Sequence, residues 1–121
     1  MKKFTVSGRL RSIRYAFEGL WLVISTQHNA WIHLAATILV IGGGIYFEIS
    51  RTEWAIVTIT IVGVWVAETI NTAFEYLCDI TNPDYHPVVK KAKDVSAAAV
   101  LISAIGAIIV GLIIFLPYVV H

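Results

Sequence analysis

Three stretches of this chain, residues 30–47, 54–77 and 95–116, run almost without charge, and a small soluble domain has nowhere to bury so much apolar surface. A helix needs about 20 mainly apolar residues to cross the hydrocarbon core of a bilayer, and each stretch is of that order. Each must be helical, because lipid offers no partner to an unpaired backbone N–H or C=O. The expected fold is therefore all-α: one membrane-embedded domain over residues 1–121 with three transmembrane helices. With 58% apolar and 14% charged residues, the composition agrees.

The few charges are segregated. Lys2, Lys3, Arg9, Arg11 and Arg14 crowd the N-terminus, and Lys90, Lys91 and Lys93 crowd the second connection. The first connection, residues 48–53, is short and net acidic. An excess of Lys and Arg marks the cytoplasmic side, so the N-terminus and second loop are expected inside and His121 outside the cytoplasmic membrane. A net charge of +1 argues against nucleic acid as a partner. The lone Cys78 excludes an intrachain disulfide or a cysteine metal site. No short apolar segment with a small-residue cleavage site follows the basic N-terminus, so no cleaved signal peptide is expected.

Ahead of the first span, Leu10, Ile13, Phe17, Leu20, Trp21 and Ile24 recur at spacings of three and four, with Arg9, Arg11 and Glu18 mostly elsewhere. The pattern predicts an amphipathic helix over about residues 7–28, lying in the membrane surface as an anchor or as the cover of a site.

Carboxylates inside a membrane helix are expensive, and the second span carries two, Glu68 and Glu75, with Asn71 beside them and Asp79 at its end. At 3.6 residues per turn, positions 68, 75 and 79 fall within about 40° of one another. Glu68 lies about 16 Å deeper along the helix than Asp79. This is a polar stripe descending from the cytoplasmic interface. Hydrogen bonding that cements a bundle, an ion or proton path, and a metal-assisted reaction all fit the stripe taken alone. Before Glu68 the span offers only threonines, so an outward continuation of a path is missing.

In the second loop, Asn82-Pro83-Asp84 signals a turn, and Pro87 suits the first turn of a helix that starts in the cytoplasm and runs into the membrane. Lys90, Lys93 and Asp94 then stand at related helical positions above the bilayer. Lysines near a helix start oppose its dipole but are well placed for an anionic ligand. Positive charge for topology, and a local cap by Asp94, are the simpler accounts.

Taken together, Glu68-Thr-Ile-Asn-Thr-Ala-Phe-Glu75, Asp79, Asp84-Tyr-His-Pro and Ala92-Lys-Asp-Val-Ser-Ala-Ala-Ala-Val100 strongly resemble the prokaryotic diacylglycerol kinase family, over nearly the whole chain. The resemblance implies a compact homotrimer that transfers the γ-phosphate of Mg-ATP to the hydroxyl of a membrane lipid alcohol, diacylglycerol or undecaprenol. It implies Glu68 as the general base, made more basic by burial, and Glu75 as a magnesium ligand. It implies Asn71, Asp79, Lys93 and Asp94 as residues that orient the nucleotide, with Tyr15 and Asp84 near it. Neither a Gly-rich P-loop nor a protein-kinase catalytic loop is present, so positioning and charge neutralisation would carry the reaction. The Tyr85-His86-Pro87 form of the loop looks closer to the undecaprenol kinase branch.

One position departs from the family. Where a glutamate usually completes the metal site, this chain has Gln27, which keeps an oxygen donor and loses the charge. An inactive family member, or a small channel subunit using the Glu68–Glu75 stripe, are the rival readings. Among smaller signals, Ala99, Ser103, Ala107 and Gly111 form a ridge of small residues suited to close helix packing in an oligomer. Gly42-Gly43-Gly44 suits packing or a bend, His28 and His33 are expected at the interface, and Cys78 is expected to be an inert packing residue.

Overall fold

The computed structural model describes residues 3–121, so Lys2 of the basic N-terminus lies outside the described residues. Four helices follow in order: α1 (Val6–Thr26), α2 (His28–Tyr46), α3 (Arg51–Thr81) and α4 (Pro87–Val119), with no strand among the described residues. The last three are long and apolar enough to cross a membrane, as the hydropathy pattern required. The chain is thus a multi-pass integral membrane helical protein.

Each boundary has a local cause. Thr5 caps α1 by accepting the Gly8 N–H on Oγ1 at 3.0 Å. A single residue, Gln27 (φ −100°, ψ 123°), breaks α1 from α2, so the surface segment ends just short of the expected residue 28. Across that break Trp31 Nε1 donates to the Ile24 carbonyl at 2.6 Å. At the far end of α2, Ile49 N–H donates to Gly44 O and Glu48 N–H to Ile45 O, the paired bonds of a Schellman motif. Glu48 takes the left-handed position of that motif, with φ 51°. Ser50 and Glu53 then form a capping box that starts α3. The Glu53 carboxylate also accepts from Tyr118 O–H at 2.5 Å, which ties the end of α4 to the start of α3. On the opposite side α4 begins at Pro87, as its turn chemistry predicted, with His86 Nδ1 accepting the Val88 N–H.

The most extensive packing is α3 on α4, with α2 against α3 next and α1 touching α2 and α3 lightly. On α3 the buried residues Val57, Val64, Asn71 and Cys78 recur every seven positions, the period of a coiled-coil seam. Ile61, Glu68 and Glu75 follow the same period beside it. The polar stripe is therefore the continuation of a packing seam that is aliphatic at one end and polar at the other.

Gly44 is required where it stands: a Cβ there would meet the Trp54 ring at 2.6 Å. Of the two roles open to the glycine run, close packing is the one seen. Ala107 and Gly111, from the small-residue ridge, line a cavity of about 320 Å³ between α2, α3 and α4 of the same chain.

The chain exposes 9197 Å², against about 6,500 Å² expected for a soluble monomer of this mass. The excess is apolar and is carried by side chains such as Leu39, Ile59, Ile102 and Ile113 along all three long helices. Lipid, or further protein, must cover it.

Candidate active site

Glu68 is the most buried large side chain among the described residues, 2% exposed, midway along α3. Its Oε2 stands 3.3 Å from Nε2 of His33 on α2, whose side chain is 11% exposed. Neither atom has a hydrogen-bond partner among the described residues, because the imidazole N–H does not point along the contact. His33 thus packs against α3, a contact the sequence did not show, while His28 is exposed and sits edge-on to Trp31. A histidine at the start of a span reads as interfacial until the facing helix is known. Its partner here comes from α3.

Below Glu68, Asn71 is 7% exposed and accepts on Oδ1 from Ser96 O–H of α4 at 2.8 Å. That bond uses the amide oxygen and leaves the amide N–H groups free of Ser96. Ser96 is a residue the sequence pattern did not single out. Thr72 returns its hydroxyl to the Glu68 carbonyl at 2.9 Å and is buried with them. Glu75 follows two turns from Glu68 and is half-buried.

At the polar end of the seam, Lys93 Nζ reaches Asp79 Oδ1 at 2.6 Å, joining α4 to α3. Lys93 precedes the apolar stretch of α4. The hydrogen bond to Asp79 holds its ammonium above the usual lysine range, desolvation opposes that, and Glu75 adds a smaller push upward. Asp94 does not cap α4. It pairs with Lys90, one turn back, at 2.7 Å, and the cap is His86. Asp84 is exposed in the connection between α3 and α4. Tyr15 is exposed on α1 with the Arg14 guanidinium 5.5 Å above its ring.

Glu68, Asn71, Glu75, Asp79 and Lys93 thus line one polar strip. Tyr15 and Asp84 lie on other elements. Gln27 is half-buried in the α1–α2 break, where its amide nitrogen donates to Thr26 Oγ1 at 3.2 Å. Among the described residues no three His, Cys, Asp or Glu side chains converge as a metal site. Outward of Glu68, the cavity between the helices is lined mainly by aliphatic residues such as Val40, Val57, Ile61 and Val64. An ion path would need polar groups there.

The strip's chemistry is that of a deep carboxylate followed by amide, carboxylate and cation towards one end. Residues 14–115 match the family described as prokaryotic diacylglycerol kinase. An undecaprenol kinase of Bacillus subtilis is 38% identical over 107 residues, which cover 88% of this chain and 87% of that protein. A diacylglycerol kinase of Synechocystis is also 38% identical over 109 residues, covering 89% of this chain and 62% of the relative. The chain thus spans less than two thirds of that cyanobacterial protein. A diacylglycerol kinase of Helicobacter pylori is 29% identical over 114 residues, covering 87% of this chain and 88% of the relative. With the match running from α1 through nearly all of α4, and with the helical membrane architecture in agreement, the chain belongs to the prokaryotic diacylglycerol kinase family.

Proposed function

We propose that this chain transfers the γ-phosphate of Mg-ATP to the hydroxyl of a membrane lipid alcohol, undecaprenol or diacylglycerol, at the cytoplasmic face of the membrane. Family membership makes it a lipid kinase, a phosphotransferase. The observation that carries the finer reading is Glu68, a buried carboxylate at the deep end of a polar strip that opens towards Asp79 and Lys93.

In this reading Glu68 takes the proton of the lipid hydroxyl as its oxygen forms the new bond to the γ-phosphorus, and the bond to the ADP oxygen breaks. Asn71, fixed by Ser96, offers its amide N–H groups to the triphosphate, and Lys93 offers the ammonium donors that Asp79 does not use. Asp94, Asp79, Tyr15 and Asp84 orient the nucleotide.

Glu75, with an exposed edge and hard oxygen donors, fits a magnesium ligand, with Gln27 as a weaker second donor. Magnesium would neutralise charge on the nucleotide phosphates. Since no three such side chains converge among the described residues, nucleotide oxygens, water and a neighbouring subunit would supply the remaining ligands. A homotrimer fits this and fits the uncovered apolar surface of the single chain. The N-terminus and the α3–α4 connection lie in the cytoplasm and the C-terminus outside, which places the strip's open end with ATP.

The test is purified protein in mixed micelles with γ-labelled ATP and a panel of alcohols that includes undecaprenol and diacylglycerol. Label should pass to one lipid and depend on magnesium, and Glu68→Gln should lower the rate by about 10² to 10⁴ while nucleotide still binds. No labelled lipid from any alcohol, or a Glu68→Gln protein with most of its turnover, overturns the reading.

A further inference from the structure

Burial without satisfaction is unusual for polar groups, and the one place it occurs among the described residues is the His33–Glu68 contact. A buried carboxylate left unpaired is costly, and two residues brought to 3.3 Å from different helices are not a local accident of sequence. At this distance the imidazole needs only to turn about its broad terminal torsion for Nε2–H to meet the carboxylate.

The ring has an aromatic neighbour, and its backbone is tied into a small network. Trp65 lies edge-on to His33, with ring centroids 6.1 Å apart. Trp65 Nε1 donates to Thr37 Oγ1 at 3.0 Å, and the Thr37 hydroxyl donates to the His33 carbonyl at 2.7 Å. Among the described residues, no other ionisable group of the facing helices stands close in sequence to this contact. On α2 the remaining ones are His28 and Tyr46 at its ends, and α4 carries no charged residue after Asp94. The α1 residues that face α3, Ala16, Gly19, Leu20 and Val23 among them, are uncharged. On α3 the nearest is Glu75, two turns away.

We infer that His33 is a positioning residue for phosphoryl transfer: its Nε2–H holds Oε2 of Glu68, leaving Oε1 to receive the proton of the lipid hydroxyl. The inference rests on the reading of Glu68 as the base. A carboxylate in an apolar interior has two equivalent oxygens and a soft terminal torsion. A donor fixed on α2 selects which oxygen faces the substrate and stabilises the anion that must exist before the reaction. The proton balance is unchanged: one proton passes from the alcohol to Glu68, and His33 keeps its own.

The experiment compares His33→Ala, His33→Gln, Glu68→Gln and the His33→Ala/Glu68→Gln double variant, each checked for helicity and elution volume. His33→Ala should lower kcat by about 10- to 100-fold with the KM for ATP nearly unchanged. His33→Gln, whose amide nitrogen can reach the same point, should recover to within about fivefold of the parent. In the Glu68→Gln background, loss of His33 should change the residual rate by no more than about twofold. Should His33→Ala fail to fold, His33→Leu against His33→Gln gives the same comparison. Full kcat without the histidine, an equal loss in both backgrounds, or a Gln variant as slow as Ala overturns the role of His33 while Glu68→Gln stays inactive. An active Glu68→Gln protein instead removes the base itself.

Discussion

Lys93 on α4 reaches Asp79 on α3 at 2.6 Å, with side chains 36% and 62% exposed. The pair closes the polar end of the α3–α4 seam, yet its exposure makes it a weak structural tie. Ion pairs in such settings contribute roughly 0 to 1 kcal/mol. Asp79 engages one of three ammonium donors, so two remain for phosphate oxygens.

Lys93→Met should therefore barely alter stability but raise the KM for ATP by about tenfold or more, which is about 1.4 kcal/mol of lost binding. Thermal unfolding in detergent and an ATP titration check the two halves. The pair also sets a pH expectation. A lysine raised by its partner contributes stability that is complete below the ordinary lysine value of about 10.4 and is lost as pH rises through the folded value. Between pH 6 and 9, roughly, it should add no slope to stability. A KM for ATP unchanged in Lys93→Met removes the lysine from the nucleotide site.

Glu48 has φ 51° in the Schellman turn after α2, a conformation that L side chains adopt at some expense. Glu48→Gly should raise stability by about 0.5 to 1 kcal/mol, relief of strain partly offset by the extra freedom of glycine in the unfolded chain. Glu48→Val should lower it, since β-branching worsens the left-handed region. The turn is about 27 Å from Glu68 along α3, so turnover at saturating substrate should not move in either variant. Unfolding curves and kcat together check this, and a glycine variant that is less stable would show that the Glu48 side chain has a role of its own.

How much of this was legible in the sequence depends on whether a feature lives on one helix. The spans were legible because a membrane demands long apolar runs, and the 68-71-75-79 stripe because a helix repeats on a fixed period. Pro87 marked the start of α4 eight residues before its apolar stretch, through turn chemistry alone. The contact of His33 with Glu68 was not legible because one helix does not reveal which face meets which neighbour. Thr37, one turn on, was the available clue to a polar face on α2. Asp94 was open to reading as a cap until His86 was seen to fill that role. The glycine run was open between packing and bending until Trp54 was found against Gly44.

The orientation is tested by labelling. With Cys78 first replaced by Ala, a cysteine at Lys91 should react with a membrane-impermeant thiol reagent only after cells are opened. One at Arg51 should react in intact cells. Both sites are exposed in the structure, so failure to react reports the membrane and not burial. The reverse pattern would put the Asp79–Lys93 end of the strip outside, away from ATP, and the proposed reaction could not take place there.

Gln27→Glu should lower the magnesium concentration needed for half-maximal activity. The opposing effects can be weighed. One added charge about 4 Å from a cation is worth roughly 4 kcal/mol per unit of cation charge at an effective dielectric near 20. Desolvating the new carboxylate and crowding it against Glu75 would offset much of that. A net gain of about 1 kcal/mol, several-fold in affinity, is the expected outcome. Gln27 already spends its amide nitrogen on Thr26, so its carbonyl oxygen is the group left to face a cation, and a carboxylate would present two. The readouts are a magnesium titration of turnover and, independently, manganese binding followed by electron paramagnetic resonance with a non-hydrolysable nucleotide present. No shift in either, or a weaker affinity, would show that Gln27 does not face the metal. Glu18 on α1, now paired with Arg14 at 3.7 Å, or a neighbouring subunit would then be the place to look for the missing charge.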